Sequence, residues 1–411
     1  MSQVVLSPRP WTGRVAIPSS KSVAHRQLLC AALAGMSLDS VRLQGPASED
    51  LTATRTTLET LRTPTGECPV LDCGESGSTL RFLLPVAAAR GGEWCFQGRG
   101  RLPQRPLDPL LGELRAHGVE IQGERLPLRL KGKLTGGTFH LPGNISSQFV
   151  TGLLLALPLA GGGMIRLTSP LESQDYVTLT LQAMAQFGVE VRREEEGFTV
   201  PPGQSYRPVE NLPVVEGDWS AAAFPMVAAA LALQNPQGLL LENLSPASLQ
   251  GDRRIVEILQ AFGAQVEFLP QGLQVRPAPL HGVPEIDVRP IPDMVPALSV
   301  VAALAEGTTR FVHGERLRLK ESDRLEASRD LVESLGGRAE IQGDVLQITG
   351  VKELAGGRVD GRNDHRIVMA AAAAAVAVQG KVTIGDAQAV AKSWPAFWQA
   401  YSLATGEEVS L

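Results

Sequence analysis

Six times along the chain, a short polar segment runs straight into an apolar, Ala/Leu-rich stretch. The polar segments are PSSKS (18–22), ESGST (75–79), ISSQ (145–148), EGDWS (216–220), PDMVP (292–296) and NDHR (363–366). Behind them come runs such as VAHRQLLCAALA, AAAFPMVAAALAL and IVMAAAAAAVAV. Apolar on every side, these runs predict buried helices rather than amphipathic surface ones. The markers Ser22, Thr79, Ser147, Trp219, Met294 and Arg366 are 57, 68, 72, 75 and 72 residues apart, which reads as a structural repeat. A second series interleaves with the first: AHGVEI (116–121), QFGVEV (186–191), AFGAQVEF (261–268) and SLGGRAEI (334–341). Each closes an amphipathic helical pattern with a glycine (118, 188, 263, 336) where a C-cap belongs, then alternates as a strand.

Each unit therefore predicts a buried helix, strands, a surface helix with a glycine stop, and a further strand. About six such units make an α/β protein, and six exceed one core, so three per domain is the natural division. A solenoid is the competing architecture, but its repeats usually run to roughly 20–50 residues, and it seldom varies the polar residues at each helix start. The chain is expected to cross between domains near 17–19 and 215–219, where Pro or Gly breaks the pattern.

Composition narrows the picture. The 411 residues are 44% apolar and 20% charged with a net charge of −5, and no Lys/Arg run exceeds two, which argues against a nucleic-acid partner. The apolar stretches, about 12 residues long, are too short to span a bilayer. The start, MSQVVLSPRPWTGRV, has no signal-peptide core. Cys30, Cys68, Cys73 and Cys95 form no CxxC and read as reduced thiols of a cytoplasmic protein, neither a metal site nor a disulfide frame. The histidines show no HxxxH or HExxH spacing, and no GxGxxG, P-loop or GxSxG motif occurs. Only seven of the 38 basic residues are lysine, so a lysine kept inside a polar motif is conspicuous.

The helix starts carry the candidate chemistry. A helix N-terminus presents free N–H groups and the positive end of its dipole, which favours anions. Lys21 and Arg26 near the first turns after PSSKS oppose that dipole, as does Arg366 in NDHR. Either these cations are solvated or an external anion sits between them and the helix. Gly77 between two serines can admit a ligand close to the backbone, or merely open a helix. Arg99, Arg101 and Arg105 crowd the loop GRGRLPQRP, which suits a carboxylate or phosphate but also a solvated basic loop. In RLRLKESDRLE (316–326), Lys320 and Arg324 share a face if the segment is helical, with Glu321 among them. Asp293 in PDM can be an ordinary N-cap.

Taken together, PSSKSVAHR, ESGSTLR, RLPQRP, NISSQF, SQDY, PDM, LKESDRL, NDHR and AKSWP fall in the order of one family. Over nearly its whole length the chain resembles the EPSP synthases (3-phosphoshikimate 1-carboxyvinyltransferases) among the enolpyruvyl transferases. The resemblance implies two domains, each of three βαβαββ repeats with buried helices, an inside-out α/β barrel. One domain would be 1–18 with 219–411 and the other 19–218. It implies transfer of the enolpyruvyl group of phosphoenolpyruvate to the 5-hydroxyl of shikimate 3-phosphate, with no cofactor and no metal, by a cytoplasmic monomer that closes its domains around the substrates.

Carried over by motif, Lys21, Ser22, Arg26, Ser146, Ser147, Gln148, Ser173, Tyr176, Asp293 and Lys320 would contact shikimate 3-phosphate. Lys21, Gly77, Arg105, Gln148, Arg324, Arg366 and Lys392 would contact phosphoenolpyruvate. Asp293, Glu321 and Lys21 would be the catalytic groups. Glu75 stands where the family commonly has Asn, and Arg316 where it has Asn or another polar residue. The nearest rival is the sister family acting on UDP-N-acetylglucosamine, which resembles this chain less: it carries a reactive Cys in the loop here read as GRGRLPQRP, and Cys95 lies outside that loop. A non-catalytic anion-binding protein on this fold would be expected to lack Lys21, Asp293, Glu321 or Lys392, and all four are present.

Overall fold

The computed structural model describes residues 2–409. The chain divides into two compact units. The first comprises residues 1–20, Gln44–Ser48 and Glu216–Leu411, and the second Lys21–Leu43 with Glu49–Val215. The short segment Gln44–Ser48 thus packs with the first unit, although it lies within the span 19–218 read from the sequence as one domain.

Twelve α-helices occur among the described residues: α1 (Lys21–Leu33), α2 (Glu49–Arg62), α3 (Gly77–Arg90), α4 (Asp108–Ala116), α5 (Ser147–Ala156), α6 (Gln174–Gln186), α7 (Trp219–Leu231), α8 (Ile255–Phe262), α9 (Val295–Leu304), α10 (Arg324–Ser334), α11 (His365–Ala374) and α12 (Phe397–Thr405). The six polar-to-apolar junctions open α1, α3, α5, α7, α9 and α11. These are the buried helices; in α7 all 13 residues are buried. Small side chains make that possible: alanine-rich faces let helices approach closely, and at Gly152 of α5 a Cβ would strike the Arg81 carbonyl of α3. The surface helices end where the glycine pattern predicts. Gly118, Gly188, Gly263 and Gly336 all have positive φ, which glycine adopts without the Cβ clash.

Around five of the six buried helices, α1 being the exception, the same topology recurs among the described residues. Two parallel strands flank it, and an antiparallel partner extends the sheet. In the second unit, Val70–Asp72 and Gly92–Gln97 run parallel around α3, and Thr138–Pro142 and Gly163–Ser169 around α5. In the first unit, Glu285–Asp287 and Thr308–Val312 flank α9, and Gly357–Val359 and Val382–Gly385 flank α11. Arg14–Ala16 pairs in parallel with Leu239–Glu242, and the second unit is inserted between them.

The repeats are unequal. The first unit has two four-stranded sheets and one three-stranded sheet, and the second has two four-stranded sheets among the described residues. The α1–α2 face is finished by loop backbone instead, with Val215 N–H donating to Arg42 O. Pro208 and Pro213 interrupt the stretch that would have to supply a strand, since proline cannot donate to a ladder.

The expectation of four reduced thiols fails. Cys68 and Cys95 are joined in a disulfide, and only Cys30 and Cys73 are free, both buried. Sequence spacing hides the pairing because 27 residues separate the two. The parallel pairing of Val70–Asp72 with Gly92–Gln97 closes that distance: Cys95 N–H bonds to Pro69 O, and the two Cα atoms stand 5.9 Å apart, within disulfide reach. No described helix is long and apolar enough to cross a membrane.

Candidate active site

In the second unit the polar residues gather at the starts of α1, α3 and α5. Ser76 caps α3 by accepting the Thr79 N–H, and Ser146 caps α5 by accepting the Gln148 N–H. Gly77 is the first residue of α3, and a Cβ there would lie 2.5 Å from Arg105 Nη1 and 2.9 Å from Arg81 Nη1. Two guanidinium groups therefore rest directly over this glycine. Gln148 joins them: its Oε1 accepts from Arg81 Nη1 at 2.7 Å, and its Nε2 donates to Ser78 Oγ at 2.9 Å. Arg81 is absent from the residues expected from sequence, although an arginine inside the apolar run LRFLLPVAAA was a signal that could have revealed it.

Lys21, the first residue of α1, pairs with Asp50 of α2 at 2.6 Å, with both side chains largely shielded. Asp50 was another omission; its place in SEDL, ahead of an amphipathic helix, marks only a favourable first-turn acid. Arg26 is buried with its donors engaged: Nε to Thr180 Oγ1 at 2.9 Å, Nη1 to Ser22 O at 2.6 Å, and Nη2 to Tyr176 O at 2.8 Å. It ties Ser22 to Tyr176, two other expected contacts. Ser173 is buried and holds a left-handed conformation, φ 53°, ahead of α6. Ser147 is buried in the first turn of α5. The Glu75 carboxylate lies against Gly100 in the GRGRLPQRP loop, 2.5 Å from where a Cβ would sit.

In the first unit, Asp293 is not the N-cap that the sequence allowed. It lies in a 3₁₀ turn, Pro292–Met294, and α9 has no side-chain cap. Three cations converge on its carboxylate instead: Arg324 Nη1 at 2.6 Å, Arg366 Nη2 at 3.0 Å and Lys320 Nζ at 3.4 Å. Burial would raise this carboxyl, but Arg366, Lys320 and Arg324 outweigh it and hold Asp293 well below the usual carboxylate range.

Lys320 and Arg324 do not share a helix face. Glu315–Leu319 is a 3₁₀ turn, Lys320 is extended, and α10 begins only at Arg324. They meet at Asp293 because the chain turns back there, not through helical spacing. Burial depresses the Lys320 ammonium to about 8; Arg316 and Arg324 push the same way, against the pull of Asp293.

Arg324 is the hub. It is 1% exposed and also holds Glu321 (Nη2, 2.7 Å) and Asp364 (Nε, 2.8 Å). Asp364 takes a hydrogen bond from Ser322 at 2.8 Å and caps α11 through the Arg366 N–H at 3.0 Å. Burial disfavours the Asp364 anion, yet Arg324 and His365 bring its carboxyl down to about 2. Lys392 is buried and donates to Asn363 O at 2.6 Å, beside the start of α11. Asp252, which hydrogen-bonds Ser220, is pushed up to about 6 by burial and by Asp293.

Chemically, the second unit offers a glycine-opened helix start under two guanidinium groups. The first offers carboxylates held ionised by cations, one of which has a weakened hold on its proton.

Known proteins show what the chain is similar to. Residues 5–401 match the family model described as EPSP synthase (3-phosphoshikimate 1-carboxyvinyltransferase). A 3-phosphoshikimate 1-carboxyvinyltransferase from Clostridium perfringens (strain ATCC 13124) is 39% identical, with 97% of each chain covered. One from Clostridium kluyveri is 38% identical over 99% of this chain and 98% of its own. A solved EPSP synthase from Acinetobacter baumannii superposes over the whole of both chains with a TM-score of 0.78 at 26% identity. The enolpyruvyl transferase NikO from Streptomyces tendae shares the fold, with a TM-score of 0.73 over 99% of this chain and 98% of its own at 17% identity.

Proposed function

The chain belongs to the EPSP synthase family, and from that premise we propose how its residues transfer the enolpyruvyl group of phosphoenolpyruvate to the 5-hydroxyl of shikimate 3-phosphate. The hydroxyl oxygen adds to C2 of phosphoenolpyruvate while C3 gains a proton. The tetrahedral adduct then loses phosphate from C2 and a proton from C3, leaving the enol ether and free phosphate. Such a path needs a base for the hydroxyl, an acid–base group at C3, and cations for the leaving phosphate.

The observation that carries the assignment is the Asp293 carboxylate ringed by Lys320, Arg324 and Arg366, with Glu321 on the same Arg324. Asp293 is the base. Held as strongly as it is here, its carboxylate is a weak one. A substrate carboxylate or phosphate drawing off Arg366 and Lys320 loosens that hold and raises its basicity. Glu321 serves C3. Gly77, Arg105, Gln148, Arg324, Arg366 and Lys392 bind phosphoenolpyruvate. Lys21 serves both substrates and the chemistry, while Ser22, Arg26, Ser146, Ser147, Gln148, Ser173, Tyr176, Asp293 and Lys320 hold shikimate 3-phosphate. Residues 1–18 with 219–411 thus supply the acid–base groups, and 19–218 supply most of the shikimate 3-phosphate contacts, in a monomeric cytoplasmic enzyme.

Phosphorus NMR of the reaction mixture tests this. The phosphoenolpyruvate signal should give way to inorganic phosphate and a new enol ether product with shikimate 3-phosphate. The same conversion with UDP-N-acetylglucosamine instead would transfer the assignment to the sister activity.

A further inference from the structure

The Lys21 helix carries a buried imidazole that the mechanism above does not use. His25 is 1% exposed and lies one turn beyond Lys21. From it a single file of hydroxyls crosses three helices. His25 Nδ1 is 2.8 Å from Thr54 Oγ1 of α2, and Thr54 Oγ1 is 2.6 Å from Thr79 Oγ1 of α3. Thr79 donates to Ser76 Oγ at 2.7 Å, and all four side chains are buried.

The direction of this file follows from proton bookkeeping. Burial, reinforced by Lys21 and Arg26, lowers the His25 pKa well below its ordinary value, so the neutral ring has one N–H and one lone pair. Each hydroxyl has one proton. With the Thr79 proton on Ser76, the Thr54 proton serves Thr79, and His25 Nδ1 must donate to Thr54. Ser76 accepts from both the Thr79 hydroxyl and the Thr79 N–H, which fixes the cap of the helix that begins at Gly77.

The neighbouring contacts repeat the plan. One turn earlier on the same two helices, Lys21 pairs with Asp50. Arg26 reaches Thr180 of α6, itself 2.9 Å from Thr151 of α5. Helix α1 thus grips α2 and α3 through His25, and α5 and α6 through Arg26. His25 Nε2 is buried without a hydrogen-bond partner, so the ring engages this chain through Nδ1 alone. From Nδ1 to Ser76 every hydroxyl has a partner, and a buried polar chain so satisfied imposes one arrangement where an apolar core would tolerate several.

We propose that His25 is a positioning residue: through Thr54 and Thr79 it fixes Ser76, and with it the first turn of α3, where Gly77 meets Arg105 and Arg81. For its effect on catalysis this rests on the functional reading above; its structural content does not.

The test compares full-length Thr54→Val, which keeps the shape and removes the hydroxyl, with Thr54→Ser, which keeps the hydroxyl. In the valine variant, amide hydrogen exchange at residues 76–80 should accelerate at least about tenfold while residues 153–156 of α5 change little. The KM for phosphoenolpyruvate should rise about tenfold with kcat within about threefold, and serine should restore both readouts. Equal behaviour of the two variants, or an acceleration spread evenly over the unit, overturns the proposal. If the wild type does not consume phosphoenolpyruvate, the functional reading fails, and exchange alone still decides the relay. Nitrogen-15 shifts of His25 in the wild type give a check that needs no variant: the Nδ1–H tautomer is expected, and the Nε2–H tautomer overturns it.

Discussion

Replacing Asp364 by asparagine removes one negative charge from beneath Arg324 and turns one of two oxygens, each of which accepts from Arg324, into a donor. The asparagine carbonyl can still cap α11 and accept one Arg324 hydrogen bond. What it cannot do is balance the charge. The cluster as it stands sets Arg324, Arg366 and Lys320 against Asp293, Glu321 and Asp364. Lowering the Asp364 carboxyl from 3.8 to about 2 corresponds to about 2–3 kcal/mol of stability at neutral pH. Leaving a buried guanidinium partly uncompensated commonly costs about 3–5 kcal/mol, so a loss of about 3 kcal/mol is expected at pH 7. The sign with pH is fixed. A carboxyl with a depressed folded pKa contributes above its unfolded pKa and loses that contribution as pH falls through the folded value. The gap between wild type and variant should therefore shrink to about half by pH 3. Urea unfolding followed by tryptophan fluorescence reads the relevant unit, because Trp11, Trp219, Trp394 and Trp398 all lie in it and only Trp94 lies in the other. A loss below about 1 kcal/mol at pH 7, or a loss unchanged at pH 3, would refute the reasoning.

Asp293→Asn and Glu321→Gln should each lower kcat at least about 10²-fold with the fold intact, and near-normal turnover in either would reject its acid–base role. Gly77→Ala places a methyl group 2.5 Å from Arg105 Nη1. The KM for phosphoenolpyruvate should then rise about tenfold with that for shikimate 3-phosphate little changed, and the reverse pattern would misplace the two substrates. Asp252, raised to about 6, binds its proton more tightly folded than unfolded, so its contribution is lost as pH rises from about 4 through 6. Asp252→Asn should accordingly stabilise the protein at pH 8 more than at pH 4.5 in thermal melts, and a pH-independent difference would contradict this.

The periodic features of the molecule were readable in its sequence. Buried helices show as unbroken apolar runs, and the helix stops at Gly118, Gly188, Gly263 and Gly336 show because a positive φ selects glycine. Motif order pointed to the family. Features that depend on packing between distant segments were not readable. The Cys68–Cys95 bridge arises from a parallel strand pairing that spacing does not encode. The meeting of Lys320 with Arg324 looked helical at i, i+4, yet comes from a turn. Arg81 and Asp50 reveal their partners, Gln148 and Lys21, only once α3 meets α5 and α1 meets α2. Asp364 caps α11, but the charge it holds under Arg324 belongs to the tertiary structure.

The most direct test of the function is phosphate release from phosphoenolpyruvate by the purified chain, measured with and without shikimate 3-phosphate. Release that requires shikimate 3-phosphate and is not supported by UDP-N-acetylglucosamine is the predicted result. Release that ignores shikimate 3-phosphate, or that proceeds equally well with UDP-N-acetylglucosamine, would contradict it.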